Sequence, residues 1–418
     1  MIVKLSSRIP MPKPYKPRLR NFETASNQRH IQDKDRFLYR KNNHQPEYRL
    51  NIIGTGTMGQ EHMFVATILG EAQIHGIFDQ ENHSLEMAEE EFRSYSPNEL
   101  TRYNDLESAC NDPDADALMI CTPNYTHLNV LKVAVQSGKP IFLEKPIATS
   151  LADAAEIVNI ATGYASFIQI GLQYRYKAQY VEACHEALDR KVIGGIQTIA
   201  LSEYRPPFLD KVNQWNKFSE YSGGTLIEKC CHYFDLMNLF AGSYPKTVYA
   251  IGGKAVNFLD FNHQNQTADI DDHDFVLLEY QNGIRASFTL NMFCPDFHEE
   301  LVLCGDKGRI IASEIFKFKN NDGAEATISI QSGEHVSSRK SIVSYPQIIE
   351  QSGHHGATFY EHIELVKQLK GEPSNCATPM EGLWSIAIAA AAQESISSGK
   401  RIMVNDFLEK NNLSGMMD

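Results

Sequence analysis

YRLNIIGTGTMGQEHMFVATILGEAQIHGIFD, residues 48–79, is the stretch whose reading decides the fold. Leu50, Ile52 and Ile53 form a short apolar run that stops at Gly54, Gly56 and Gly59, spaced G-x-G-x-x-G. Apolar residues then recur at helical spacing through Met63, Phe64, Ile68 and Leu69; a second strand runs from Ile74 to Phe78, and Asp79 closes it. The order is strand, glycine turn, helix, strand, acid. Gly54 permits a tight turn off the strand, Gly56 lets backbone approach a pyrophosphate, and Gly59 lets the helix pack against the sheet. Phosphates then rest on the free N–H groups at the positive end of the helix, where Thr57 and Met58 lie. Asp79 comes about 20 residues after the last glycine, the separation expected of an acid that accepts hydrogen bonds from a ribose. A carboxylate there repels a 2′-phosphate, so the expected cofactor is NAD and not NADP.

Outward from this unit, a chain of 418 residues is too long for one ordinary domain and implies two, plus extensions. An apolar content of 42% with 22% charged residues belongs to a soluble globular protein. With no apolar run of about 18 residues and no secretory signal block at the N-terminus, no membrane partner is expected and the location is read as cytoplasmic. The net charge of −13 argues against a nucleic-acid partner, since phosphate backbones reward basic surfaces. Eight cysteines lack the spacing of a zinc site or disulfide framework, and no metal is expected. Cys230 and Cys231 read as small buried helix residues. Residues 1–47 differ from the rest: basic residues outnumber acids and Pro10, Pro12, Pro14 and Pro17 crowd the start. Such a segment is either a disordered tail or an extended arm across a neighbouring subunit.

From the fingerprint onward, strand and helix alternate through residue 172. A polar helix near His83–Phe92 is followed by a buried strand, Ala117–Cys121, which runs into Thr122-Pro123-Asn124-Tyr125-Thr126-His127. A helix from about Leu128 to Gln136 ends at Ser137-Gly138, and the strand Pro140–Leu143 ends in Glu144-Lys145-Pro146. Alternation of this kind makes a doubly wound parallel sheet, a Rossmann domain over 48–172, with ligands at the carboxyl ends of its strands. Thr122, Pro123, Asn124, His127, Glu144 and Lys145 fall at such ends and are expected to line the cofactor cleft. From 173 to 404 the pattern changes to an α+β domain. Its strands follow one another as an open, largely antiparallel sheet, with hairpin turns at Gln281-Asn282-Gly283 and Gly305-Asp306-Lys307-Gly308. One long helix, Thr225–Phe240, is inserted early. The chain returns to helices at Thr358–Leu369 and Glu381–Ser398, the second expected to pack back on the Rossmann domain, and 405–418 reads as a tail.

Two stretches offer chemistry beside the dinucleotide. Lys145 ends a strand between an acid and a proline, where its cation can face the nicotinamide; the alternative is an exposed lysine paired with Glu144. On the expected helix, Glu228 and His232 stand at i and i+4, with Asp235 three residues on. In an otherwise apolar helix, polar groups that must be satisfied line a cavity, which favours a proton-transfer site over a surface salt bridge.

GTGTMG, TPNYTH, EKP and GGTLIEKCCHYFD, in this order, resemble the Gfo/Idh/MocA family of sugar and inositol dehydrogenases from about residue 48 to 404. The resemblance implies a Rossmann domain joined to an α/β domain whose open sheet carries substrate on one face and oligomer contacts on the other. It makes Lys145 of E-K-P catalytic and maps the family's helix motif, an aspartate four residues before a histidine, onto Glu228 and His232; Glu in place of Asp is a departure. The arm is similar in character to that of glucose-fructose oxidoreductase. The expected reaction is oxidation of a secondary hydroxyl of a cyclic polyol (a pyranose, glycoside or inositol) to a ketone. His232 takes the proton, Lys145 stabilises the alkoxide and Glu228 orients substrate or histidine. Arg175, Tyr176, His354 and His355 are candidates for holding further hydroxyls, with an exposed loop pair as the alternative for the two histidines. An NAD-dependent glycosidase and a non-catalytic dinucleotide sensor are the competing classes. A homo-oligomer, dimer or tetramer, is expected, since an open sheet face usually finds a partner.

Overall fold

The computed structural model describes residues 46–316 and 324–413; the arm expected over 1–47 lies outside the described residues but for its last two positions, as does 414–418 at the other end. Six strands, β1 (Tyr48–Ile53), β2 (Ala72–Phe78), β3 (Thr101–Arg102), β4 (Ala117–Ile120), β5 (Ile141–Glu144) and β6 (Ile168–Gly171), form a sheet of order β3-β2-β1-β4-β5-β6. Every pairing is parallel. Because helices cover both faces, the central strands are apolar throughout: Leu50, Ile52 and Ile53 on β1 and Leu118, Met119 and Ile120 on β4 are wholly buried. Each such side chain contributes about 1.5–3 kcal/mol. The strand order reverses direction between β1 and β4, which opens a crevice at their carboxyl ends.

The helices of this half are α1 (Thr57–Leu69), α2 (Asn82–Tyr95), α3 (Leu106–Asn111), α4 (His127–Ala134) and α5 (Leu151–Gly163). Gly70 at φ 72° ends α1, as a left-handed C-cap should. A tight turn, Gln173–Tyr176, and α6 (Ala178–Cys184) then lead into the second sheet.

That sheet contains β7 (Ile196–Tyr204), β8 (Pro245–Gly253), β11 (His273–Tyr280), β12 (Arg285–Asn291), β13 (Phe297–Gly305), β14 (Gly308–Phe316), β15 (Ala324–Ser332), β16 (Arg339–Ile342) and β17 (Ile402–Met403); a short ribbon, β9 (Asn262–His263) with β10 (Gln266–Thr267), stands apart. Its order is β16-β15-β14-β13-β7-β12-β11-β8-β17. Only β7 with β12 is parallel; the other pairs are antiparallel, with hairpins at the two expected turns. Alternation divides its faces: on β8, Val248 and Ala250 are buried while Tyr249 and Ile251 face out.

The inner face is covered by α8 (Cys231–Ala241) and by the alanine-rich α10 (Pro379–Ser398), which also packs on α5 of the first half. A capping box starts α10: Thr378 accepts from the Glu381 N–H and Glu381 accepts from the Thr378 N–H at 2.8 Å. The segment expected as a tail begins with another helix, α11 (Val404–Lys410). A further correction concerns the single helix expected over 225–240. It is two helices, α7 (Thr225–Glu228) and α8, separated at Lys229 and Cys230, where Cys230 flattens to ψ −6°. Between the ribbon and α10, α9 (Ala357–Leu369) packs against α1.

Candidate active site

The glycine turn has the shape a dinucleotide needs. Gly54 has φ +95° and a Cβ there would lie 2.6 Å from the Thr122 nitrogen, so only glycine lets the β1 turn meet the end of β4. A Cβ on Gly59 would lie 2.1 Å from the Gly54 oxygen, which sets the close seat of α1. On Gly56 it would meet nothing within 4 Å: this residue borders open space at the start of α1, beside exposed Thr57 and half-buried Met58. Asp79, at the end of β2, accepts from the Thr55 N–H (2.7 Å) and the Glu81 N–H (2.9 Å). It therefore also braces the glycine turn, and the half-exposed carboxylate keeps lone pairs for a ribose.

On the facing loop, Thr122 and Pro123 are half-buried, and the buried Asn124 has an amide nitrogen without a partner among the described residues. Orphaned buried donors of this kind point to a ligand not yet in place. His127 is a correction. It is wholly buried, with Nδ1 2.9 Å from the Pro146 oxygen and Nε2 3.0 Å from the Thr122 oxygen, so it clips two loops together and has no face left for a cofactor. Burial pushes its pKa down, against the two carbonyl oxygens, which favour the protonated ring. Glu144 is corrected likewise. One carboxylate oxygen accepts from the Lys145 N–H (2.9 Å) and the other lies 2.8 Å from His62 Nε2, behind the cleft wall.

Lys145 crosses to the second half of the molecule. Its ammonium donates to the Glu228 carbonyl (3.1 Å) and lies 3.6 Å from the Glu228 carboxylate. Burial alone would lower its pKa, but Glu228 together with Cys231 and Glu144 outweighs that and raises it, so the group stays a cation. Glu228 is in turn held below the usual carboxylate range, Lys145 and Lys211 outweighing its burial.

His232 stacks face to face on Tyr174, ring centroids 4.0 Å apart at 9°. Its Nδ1 is buried without a hydrogen-bond partner among the described residues. Burial, reinforced by the charges of Lys145 and Lys229, puts its pKa well below the ordinary histidine value. The charge of Lys145, from the first half of the chain, thus acts on the imidazole of His232 in the second and helps to hold it below the ordinary histidine value.

Tyr174 and Lys229 are site residues the sequence reading missed. Lys229 donates to the Tyr174 hydroxyl (2.5 Å) and pairs with Glu203 on β7 (3.2 Å); burial lowers its pKa to about 8. The signal for Tyr174 was present in Gln173-Tyr174-Arg175-Tyr176, but a three-residue turn sends adjacent side chains different ways. Arg175 and Tyr176 are corrections for that reason. Arg175 forks onto Asp235 (2.6 Å) and reaches Glu381 (2.8 Å), binding the turn to α8 and α10. Tyr176 is buried, donating to the Asn375 oxygen (3.2 Å). Breaking the buried Arg175–Asp235 pair would cost about 3–5 kcal/mol, which makes it architecture.

The Gly353-His354-His355-Gly356 turn divides in two. His354 lies 6.2 Å from the Tyr174 ring and 2.8 Å from Glu61 on α1, so it borders the site and ties it to the cofactor helix. His355 turns away to Glu314 (2.9 Å), which also accepts from Lys177 (2.6 Å).

Comparison with known proteins places this geometry. Residues 48–172 match the family model described as "Oxidoreductase family, NAD-binding Rossmann fold", and residues 185–404 match "Oxidoreductase family, C-terminal alpha/beta domain". An uncharacterized oxidoreductase of Bacillus subtilis, YrbE, is 23% identical over 84% of this chain and 95% of its own. The myo-inositol 2-dehydrogenase of Thermotoga maritima is 22% identical over 64% of this chain and 75% of its own. Among solved structures, a levoglucosan dehydrogenase in complex with NADH and levoglucosan superposes with a TM-score of 0.69 at 17% identity, covering 85% of this chain and 98% of that one.

Proposed function

The chain belongs to the Gfo/Idh/MocA oxidoreductase family and is an NAD-dependent oxidoreductase; from that premise we propose that it oxidises a secondary hydroxyl of a cyclic polyol, such as an inositol or a pyranose, to a ketone. Lys145 and His232 carry this assignment: the ammonium from the first half reaches Glu228, four residues before His232, and its charge helps to lower the pKa of the imidazole. The inositol and levoglucosan dehydrogenases among the relatives support the substrate class.

When bound, NAD accepts the hydride released from the carbinol carbon. Gly54, Gly56 and Gly59 would cradle its pyrophosphate with Thr57 and Met58 beside them, Asp79 would accept from the ribose, and Thr122, Pro123 and Asn124 would border it. Lys145 donates to the carbinol oxygen and stabilises the charge that develops there. His232, neutral at the start, accepts the hydroxyl proton. Glu228 fixes the ammonium of Lys145, and the Tyr174 ring fixes the plane of His232. His354 is placed to meet a further hydroxyl.

A panel of inositols, pyranoses and glycosides with NAD, read as NADH absorbance, tests the reading. Lys145→Ala should lower kcat by about 100- to 1000-fold, the effect of losing one preorganised donor, while NAD still binds. Release of an aglycone without net NADH would replace it with the glycosidase; turnover of no polyol at all would remove the dehydrogenase.

A further inference from the structure

Behind Lys145, three side chains from three separate elements converge: His62 on α1, Glu144 at the end of β5 and Glu361 on α9. None is more than 3% exposed, and one ligand atom from each lies within 4.8 Å of the other two. Each is held from behind. His62 packs edge-on against Phe142, ring centroids 4.9 Å apart. Glu144 accepts from the Lys145 N–H at 2.9 Å, and the backbone oxygen of Glu361 accepts from the Gln169 amide at 3.3 Å.

The cluster is short of positive charge. Glu144 has the Lys145 N–H and His62 Nε2 (2.8 Å) as partners. Glu361 is wholly buried, and neither of its carboxylate oxygens has a hydrogen-bond partner among the described residues. Arg175 is the cation whose charge reaches Glu361, but its guanidinium is taken up by Asp235 and Glu381, while Glu144 and Glu61 act on Glu361 as like charges. Two acids converging in a dry interior need either a proton on one of them or a cation between them. The Glu361 oxygens make no direct hydrogen bond to Glu144 or His62, yet lie within 4.8 Å of them. A shared proton does not span such a gap, whereas an ion bonded at about 2.0–2.2 Å on each side does.

His62 can serve as the nitrogen ligand. Its Nδ1 lies 2.8 Å from Nε2 of the buried His362. With Nδ1–H donating to His362, the Nε2 lone pair faces the two acids; metal-ligating histidines donate their other ring N–H in this way.

We propose that His62, Glu144 and Glu361 bind a divalent transition cation of the zinc class, which fastens α9 to α1 and to the strand that carries Lys145. One imidazole and two carboxylates suit such an ion, and its two charges balance the two acids. Cysteine spacing gave no sign of it because the ligands are not cysteines and come from distant segments. The site stands apart from the polyol reading and does not depend on it.

The test is calorimetric titration of the full chain, stripped with EDTA and dialysed, with zinc chloride. One ion per chain should bind with a Kd of about 1 µM or tighter, release protons to the buffer and raise the thermal midpoint. Glu361→Gln keeps the size of the side chain and removes its charge. It should weaken binding by more than roughly 100-fold, the most that losing an outer-shell partner costs. Asp114→Asn, in the half-exposed group of His75, Asp112 and Asp114, should leave the tight site unchanged. NADH titration checks that both variants are folded, and crystals of the wild type grown with zinc should show an anomalous peak between the three side chains. No tight binding, tight binding that survives Glu361→Gln, or a peak only at the His75 group or the cysteines would overturn the site. A higher thermal midpoint in Glu361→Gln, with no zinc bound by the wild type, would replace the ion with a protonated Glu361.

Discussion

His232, the proposed base, is tuned by what surrounds it. A histidine in water is half charged near pH 6.5, but this one is buried and exposed to the charge of Lys145 and Lys229, all of which disfavour the imidazolium. Because its pKa lies below the ordinary value, the ring stays neutral and able to accept a proton as pH falls through 6.5. The acid limb of kcat/KM for oxidation should therefore lie below the ordinary histidine range, and Lys229→Met, by removing one positive neighbour, should move it to higher pH. A limb at pH 6.5 or above in the wild type would count against His232 as the base. The residue itself was legible from Glu228 and His232 at helical spacing. Its low basicity was not, because burial and the charge of Lys145 come from segments far away in sequence.

At the scale of elements, the end of β2 governs the glycine turn. Asp79 accepts from the Thr55 N–H and the Glu81 N–H, so one carboxylate is both a brace for the β1 turn and the acceptor proposed for the ribose. Asp79→Ser should then do two things: raise the KM for NAD and relax the discrimination against NADP, both read from initial rates with each cofactor. An unchanged NAD to NADP ratio would detach Asp79 from cofactor choice. The same scale explains where the sequence reading went astray. Uniform apolar spacing from Thr225 to Phe240 reads as one helix, yet the chain breaks at Lys229 and Cys230. Lys229 pairs there with Glu203 and the Tyr174 hydroxyl, contacts supplied by β7 and the turn after β6.

For the whole molecule, the outer face of the second sheet remains to be explained. Ile251 and Phe275 are cross-strand neighbours on β8 and β11, as are Tyr249 and Leu277, and all four are exposed. A contiguous apolar patch on paired strands favours burial against a partner, and this is the ground on which a homo-oligomer is proposed. The double substitution Ile251→Glu with Leu277→Glu should lower the mass measured by light scattering to that of one chain while leaving the fold intact by circular dichroism. A wild type already monomeric at micromolar concentration would remove the oligomer.

The sequence alone determined the parallel first sheet, the glycine turn with Asp79, and the candidacy of Lys145, Glu228 and His232, because these are local: a period, a turn that only glycine can make, a strand end and a four-residue spacing. Tertiary structure alone decided which polar residues face the cleft. Arg175, Tyr176, Glu144 and His127 are as polar as Asn124 and His232, but the first four find their partners inside the protein while Asn124 Nδ2 and His232 Nδ1 are left without one among the described residues. Composition cannot separate the two groups, since what divides them is whether a partner arrives from a distant segment.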